Sequence, residues 1–249
     1  MKITRENYYQ NTTHVSYHDL CDFRFCEYLF QKRKEGVVKD IETDPLKFGK
    51  AYDAFVSGEF DERYSVGRKA EEGKERVTDT VLKHIQDCKT EVYRHPLIGT
   101  FERNKGNSQV IITTEIAGIK VRGMLDVFDK ERKIIVDDKT TASIAKFNPM
   151  MYAEQLAWYQ MLVERRHGIT ADCFIVVVDK DTYTKHARFY KFSQSTLDAQ
   201  KEFLIETLKK LNETRALGLY EPTDSFEKCL TCPFFNQCPY TIQKEFIEV

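Results

Sequence analysis

Four charged residues lie within or at the end of two neighbouring apolar stretches in residues 121–141. The first stretch carries Asp126, and the second ends in Asp137, Asp138 and Lys139. Residues two apart on a strand face the same side, so carboxylates and a lysine on neighbouring strands can converge. Removing several charges from water is costly unless a cation compensates them. The chemistry that these residues predict is therefore that of a divalent metal ion with a lysine beside it.

A β-hairpin is the element that must position these residues. Apolar and β-branched residues dominate on both sides of the polar run 129–132, which has the composition of a turn. The pattern predicts two adjoining strands with charged residues near their ends. One alternative stays open at this point: the hairpin lies on the surface, and its acidic residues pair with Lys130, Arg132 and Lys133.

Further strands and helices are predicted around this hairpin. Residues 108–116 are rich in β-branched types, and residues 171–178 form the almost unbroken apolar run of a strand buried on both faces. A neighbouring strand is predicted at 183–192, and helices are predicted at 149–168 and 195–217. This order predicts an α/β fold in which helices flank a mixed β-sheet.

Three segments precede the strands. The first is a predicted helix over 16–34 that contains Cys26 and begins with a serine N-cap. The second is a helix that begins at an Asp-Pro pair and contains Gly49 and Asp53. The third is the highly charged segment 67–102, which is predicted to be a helical insertion that caps one end of the sheet.

The cysteines near the end of the sequence form a second motif. Cys229, Cys232 and Cys238 are closely spaced, and prolines follow two of them. Thiolates at such spacing are typical ligands of an iron–sulfur cluster or of zinc. Three ligands require a fourth, for which Cys26 and Cys21 are the candidates. The segment 226–240 is therefore predicted to be a cysteine-rich metal-cluster segment.

The hairpin resembles the PD-(D/E)XK nuclease superfamily through Gly123-Met-Leu-Asp126 and Asp137-Asp138-Lys139. This resemblance implies a restriction-endonuclease-like fold and metal-dependent hydrolysis of phosphodiester bonds in DNA. Asp126, Asp137 and the Asp138 carbonyl would hold Mg²⁺ or Mn²⁺. Lys139 would orient the attacking water or neutralise developing negative charge.

Two further motifs are similar to those of RecB-like members of the superfamily. Alignment of Gly49 with a family glycine puts Asp53 where the family has a metal-binding histidine, which is a departure from the pattern. Aspartate is itself a good ligand for Mg²⁺ or Mn²⁺. Gln155 and Tyr159 lie four apart on one helix face and match the Gln-x-x-x-Tyr motif, which implies that they position the DNA strand.

The cysteine layout resembles the iron–sulfur subgroup of RecB-like nucleases, which includes CRISPR-associated exonucleases and AddB-type helicase–nucleases. In that subgroup one cysteine precedes the nuclease core and three follow it. The resemblance therefore implies a structural [4Fe–4S] cluster on Cys26, Cys229, Cys232 and Cys238, with Zn²⁺ as the alternative occupant.

The function implied is that of a DNA exonuclease acting on single-stranded DNA or DNA ends. Recombination or repair, phage DNA processing and CRISPR adaptation are the expected settings. One alternative is a RecE-like recombination exonuclease that acts on duplex ends, usually as a ring. Another is a non-catalytic DNA-binding or assembly module. The third is a zinc-stabilised α/β protein unrelated to nucleic acid.

The amino-acid composition constrains these functional hypotheses only weakly. The 249 residues carry a formal net charge of −1, so the global charge does not indicate a nucleic-acid binder. One domain over 1–249 is expected. Neither a membrane-spanning stretch nor a signal peptide is recognisable, so a cytoplasmic location with thiol or metal-bound cysteines is expected. Recombination or CRISPR-adaptation proteins are possible partners, and a homo-oligomer is a possible state.

Overall fold

The structure is a computed structural model that describes residues 3–38, 43–67, 69–94, 106–180 and 186–240. Within these ranges, no helix is long and apolar enough to cross a membrane.

Two compact units share the chain. The first comprises Met1–Ile41, Thr113–Arg122 and Glu202–Val249, and the second comprises Glu42–Ile112 and Gly123–Lys201. The expectation of one domain over the whole sequence stays a prediction.

The elements between residues 108 and 217 follow the predicted order. The helices are α1 (Tyr17–Phe25), α2 (Glu27–Lys34), α3 (Asp44–Ser57), α4 (Phe60–Arg63), α5 (Asp79–Tyr93), α6 (Ala153–His167), α7 (Gln194–Leu217) and α8 (Phe226–Leu230). The strands are β1 (Tyr64–Val66), β2 (Glu75–Val77), β3 (Ser108–Ile116), β4 (Ile119–Asp129), β5 (Ile134–Thr141), β6 (Asp172–Asp179) and β7 (Ala187–Lys191).

The main sheet has five strands in the order β3-β4-β5-β6-β7. The β4–β5 and β6–β7 pairs are antiparallel, whereas β5 and β6 are parallel from Ile134 opposite Asp172 to Thr141 opposite Asp179. A parallel pair needs a crossover connection, and α6 provides it. The predicted mixed sheet flanked by helices is confirmed.

Both faces of β6 are covered by helices, as its apolar sequence predicts. On one face, Val176 and Val178 join Val136 of β5 in a core with residues of α3 and α5. On the other face, the Cys173 thiol lies 3.9 Å from the backbone carbonyl oxygen of Leu156 in α6. Odd- and even-numbered residues of β6 therefore face opposite helical layers, and the sheet is buried between them.

Three predictions need correction. The helix predicted over 16–34 is two helices, because Cys26 has an extended backbone with φ −164° and ψ 118° and forms the boundary between α1 and α2. The predicted helix at 149–168 begins with a 3₁₀ turn at Pro149–Tyr152 before α6. In the segment 67–102, the described helix is α5 alone, and a short strand precedes it; residues 68 and 95–102 lie outside the described residues.

The strand predicted at 183–192 is observed at Ala187–Lys191. Residues 183–185 of that prediction lie outside the described residues.

The packing of α6 on β4 depends on Gly123. A Cβ built on Gly123 would overlap the Cδ1 atom of the buried Leu162 and lie 3.3 Å from Cδ1 of Tyr159. By contrast, a Cβ built on Gly49 would lie 3.9 Å from Thr140 Oγ1, which is an ordinary contact. A glycine at position 123 therefore allows the close approach of helix and strand.

We expect Gly123→Ala to lower the free energy of unfolding by about 1–3 kcal/mol, because a well-packed core must shift to admit the methyl group. Gly49→Ala is the matched control, and it should raise that free energy by roughly 0.5–1 kcal/mol through helix propensity. Urea unfolding measures both. Equal stability of the two variants would show that the approach at Gly123 is not tight.

Candidate active site

The hydrogen-bonded pairing of β4 with β5 ends next to Asp126, the first of the candidate catalytic residues. Its pairs run from Asp129 opposite Ile134 to Val127 opposite Val136. Beyond them, the Asp138 backbone N–H donates to Asp126 Oδ2 at 2.9 Å.

Asp126 also accepts a hydrogen bond from a residue that sequence reasoning missed. Gln109 Nε2 donates to Asp126 Oδ1 at 3.1 Å. Gln109 has a φ of 50°, in the left-handed region that non-glycine residues seldom adopt. Both Asp126 oxygens are thereby held by donors, and Gln109 is a positioning residue.

Asp137 and Lys139 form an ion pair on one side of β5. Lys139 Nζ lies 2.5 Å from Asp137 Oδ2. Asp137 is 1% exposed and Asp138 is 6% exposed. The predicted convergence of residues two apart on the strand is therefore observed. The alternative of a surface hairpin is not observed. Asp137 and Asp138 are buried, and the ion pair in the turn joins Arg132 to Asp129 instead.

Asp53 of α3 belongs to the same group of charges. It is half-buried, and its pKa is raised first by burial and then by the charges of Asp126 and Asp138, so its carboxyl responds to the aspartates of β4 and β5. The sequence suggested this position for Asp53 only through the RecB-like resemblance.

Acidic side chains outnumber basic ones in this group of residues. Burial and the neighbouring Asp137 raise the pKa of Asp126 to about 7. Burial likewise raises the pKa of Asp137, although the Lys139 ammonium opposes this rise. Burial alone would lower the pKa of Lys139, but the Asp137 and Asp126 carboxylates outweigh it and raise that pKa. One lysine therefore does not neutralise the aspartates, and additional positive charge would stabilise their ionised forms.

The donor set fits a hard divalent cation. Carboxylate and carbonyl oxygens are the ligands that Mg²⁺ and Mn²⁺ prefer. Across the described ranges, no three or more His, Cys, Asp or Glu side chains are gathered closely enough to hold a metal ion as they stand. Burial is the largest cause of the raised pKa values of Asp53, Asp126 and Asp137, and the charge of Asp126 adds to it at Asp53, as that of Asp137 does at Asp126.

Replacing Asp53 tests this imbalance. Burial, Asp126 and Asp138 raise the pKa of Asp53 well above its ordinary value. A carboxyl with a raised folded-state pKa stabilises the fold fully below its unfolded pKa, and loses that contribution as pH rises through the folded pKa. We expect Asp53→Asn in EDTA to be more stable than wild type at pH 8, and equally stable below about pH 4.

Thermal unfolding across pH measures this difference, and Asp61→Asn, at an exposed position of α4, is the control. Mn²⁺ should stabilise wild type more than Asp53→Asn. If Asp53→Asn gains no stability at pH 8 and Mn²⁺ affects both proteins equally, Asp53 is an ordinary surface residue.

Gln155 and Tyr159 meet on one face of α6, as predicted. Gln155 Nε2 donates to the Tyr159 hydroxyl oxygen at 2.8 Å, and both side chains are buried. The Tyr159 ring lies against Gly123, three residues before Asp126. Their predicted contact with DNA stays a prediction.

The four predicted cluster cysteines lie in the first unit. Cys232 and Cys238 pack against the cluster that contains the buried Cys26. Burial raises the pKa of Cys232, and Cys26, Cys238 and Cys229 each raise it further. Cys26, Cys229 and Cys238 are therefore near enough to Cys232 to affect its ionisation, although the described residues contain no three cysteines at metal-binding spacing. Cys21 has a different neighbour, since its sulfur lies 3.7 Å from Arg24 Nη2.

A five-stranded mixed sheet with aspartates and a lysine where the β4–β5 pairing ends defines a protein of the PD-(D/E)XK type. The sequence profile of the family described as "PDDEXK-like domain of unknown function (DUF3799)" matches residues 16–233. The chain belongs to this family. The resemblance seen in the sequence is thus confirmed at the level of the superfamily.

One solved structure has the same fold. A protein from Eubacterium rectale, described as a proposed exonuclease, superposes with a TM-score of 0.74 at 19% identity, over 100% of this chain and 96% of that chain. The crystal structure of SSO0001 is 16% identical and covers 91% of this chain and 86% of its own, but its TM-score of 0.40 is too low to support an argument. No curated protein matches the sequence significantly.

Proposed function

We propose that this protein is a metal-dependent DNA exonuclease that hydrolyses phosphodiester bonds in single-stranded DNA or at DNA ends. The observation that carries the proposal is the convergence of two aspartates and a lysine where the β4–β5 pairing ends: the Asp138 N–H donates to Asp126, and Lys139 forms an ion pair with Asp137. A group of aspartates with a single lysine is better suited to holding a divalent cation near a phosphate than to stabilising a fold.

Asp126 and Asp137, with the Asp138 carbonyl and Asp53, would hold Mg²⁺ or Mn²⁺. A metal bound there would supply an activated water and neutralise charge on the scissile phosphate. Gln109 and the Asp138 N–H fix both oxygens of Asp126, so this carboxylate is oriented before substrate arrives.

Lys139 has two roles in this proposal. Its ammonium is already held by Asp137, and the raised pKa keeps it protonated throughout the physiological range. It therefore acts as a fixed positive charge that orients the attacking water or stabilises negative charge as the bond breaks. Gln155 and Tyr159, which are joined by a hydrogen bond, position the strand.

The cysteine-rich segment would hold a [4Fe–4S] cluster on Cys26, Cys229, Cys232 and Cys238, with Zn²⁺ as the alternative occupant. Support comes from the packing of Cys232 and Cys238 against the group that contains Cys26, and from the Thr223 backbone N–H, which donates to Cys26 Sγ at 3.4 Å. The cluster is structural in this proposal, because thiolates do not select Mg²⁺.

Cleavage assays on three forms of DNA test the substrate of this nuclease. Anaerobically purified protein is incubated in Mg²⁺ or Mn²⁺ with end-labelled single strands, end-labelled duplexes or closed single-stranded circles. An exonuclease degrades the first or second and leaves the circles intact. Degraded circles would contradict the exonuclease proposal. Binding without cleavage of any form would instead support a non-catalytic DNA-binding module.

A further inference from the structure

A row of three aromatic rings begins beside Lys139. Lys139 Nζ lies 5.1 Å from the centre of the Tyr152 ring. The Tyr152 and Phe147 rings stack with their centres 5.5 Å apart at 12°, and the Phe147 and Tyr190 rings stack at 5.9 Å and 28°. This aromatic row therefore starts at the candidate active site and continues away from the lysine over successive stacked rings.

Core packing does not account for the aromatic row. Its three rings are half-buried, so part of each remains accessible. Met150 and Met151, which immediately precede Tyr152, are 54% and 72% exposed. Accessible aromatic and apolar side chains next to a charged site mark a ligand-binding surface.

The chain holds the row in place with short structured segments. Phe147 directly follows the 3₁₀ turn Ile144–Lys146. The Asn148 side chain caps the next turn by accepting the Met150 backbone N–H at 3.1 Å. Tyr190 lies on β7, where it pairs with Ile175 of the buried central strand. Such pre-organisation lowers the entropy cost of binding a flat ligand.

We propose that the aromatic row is a base-stacking subsite, which holds an unpaired nucleobase next to the phosphate at Lys139. This inference rests on the proposed nuclease function and names the form of its substrate. Aromatic rings stack on any base without reading sequence. Bases inside a duplex are already stacked and paired, so the subsite favours single-stranded or frayed DNA.

Positive charges are suitably placed for the backbone of such a strand. Lys146 precedes Phe147 and is exposed, and Arg188 is exposed two residues before Tyr190, on the same side of β7. Lysine and arginine beside stacking rings are the combination that binds single strands independently of sequence.

Binding of single-stranded oligonucleotides that contain 2-aminopurine tests the subsite, because stacking quenches the fluorescence of this base. Ca²⁺ replaces Mg²⁺ or Mn²⁺ to provide a hard cation during the titration. Phe147→Leu and Tyr190→Leu remove a ring but keep apolar bulk, and each should weaken binding by about 5- to 150-fold and reduce quenching. Tyr190→Phe keeps the ring and should bind within about twofold of wild type.

An oligonucleotide with abasic positions provides the second arm on the wild-type protein. It should bind as weakly as the normal oligonucleotide binds to the leucine variants. Equal wild-type affinity for the normal and abasic strands, or unchanged affinity in the folded leucine variants, would overturn the subsite. If a leucine variant fails to fold, the wild-type comparison still decides the question.

The two proposals fail separately. Base-dependent binding and quenching without cleavage in Mg²⁺ or Mn²⁺ would refute the nuclease and leave the stacking subsite standing. Cleavage that proceeds equally well on normal and abasic strands would support the nuclease and refute the subsite.

Discussion

Lys139→Met is expected to lower the rate of DNA cleavage by about 10²- to 10⁴-fold while leaving DNA binding largely intact. The ammonium nitrogen lies 2.5 Å from Asp137 Oδ2, and its charge opposes the rise that burial causes in the pKa of that carboxyl. Its loss removes a positive charge that acts mainly when negative charge develops at the phosphate. The measurement is single-turnover cleavage of end-labelled single-stranded DNA.

Lys83→Met is the matched control for that experiment. Lys83 is also ion-paired, to Asp87 at 3.0 Å, but its side chain is 74% exposed on α5. Cleavage by this variant should remain at the wild-type rate. A Lys139→Met protein that is folded, binds DNA and cleaves within threefold of wild type would exclude a catalytic role for this lysine.

The second large effect concerns the cysteines of the first unit. We expect Cys229→Ser to lose bound iron. We also expect it to lower the free energy of unfolding by roughly 5 kcal/mol, because this is the chain-entropy value for closing a loop of about 200 residues between Cys26 and Cys229. Iron content and thermal unfolding after anaerobic purification measure the two effects. Exposure of wild type to oxygen should reproduce both.

Cys21→Ser separates the ligand set from the remaining cysteines. Cys21 is half-buried beside Arg24 and should keep full iron content when replaced. If Cys21→Ser loses iron and Cys26→Ser does not, the fourth ligand has been misassigned. Zinc in place of iron in the wild-type protein would favour the alternative occupant.

The strands that carry the candidate site could be predicted because their signals are local. The β-branched run at 108–116 coincides with β3, and the polar turn separates β4 from β5. The two-residue spacing of Asp137 and Lys139 on a strand sufficed to predict their contact. Period and turn composition thus specified the hairpin without information from distant residues.

Gln109 and the helix break at Cys26 could not be predicted in the same way. Gln109 is one more polar residue in a β-rich sequence, and its bond to Asp126 exists only after the strands are assembled. No glycine or proline marks the end of α1, and apolar residues continue at helical spacing through Cys26. The extended backbone there depends on tertiary structure, which outweighs local helix propensity.

Short β-structure in the charged insertion 67–102 and directly before it was missed for a related reason. β1 and β2 pair in parallel over three residues, from Tyr64 opposite Glu75 to Val66 opposite Val77. Three residues are too few to show strand periodicity. The burial of Tyr64 and Val77 in the core of α3 and α5 stabilises the pair instead.

The most direct test of the account is degradation of end-labelled single-stranded DNA by anaerobically purified protein in Mn²⁺, in EDTA, and in Mn²⁺ with Asp137→Asn. We predict a product ladder with wild type in Mn²⁺, none in EDTA, and a loss of at least about 10²-fold with Asp137→Asn. Cleavage that is unaffected by EDTA, or inactivity of folded wild-type protein with its cysteine-bound metal intact, would contradict a metal-dependent nuclease built on Asp126, Asp137 and Lys139.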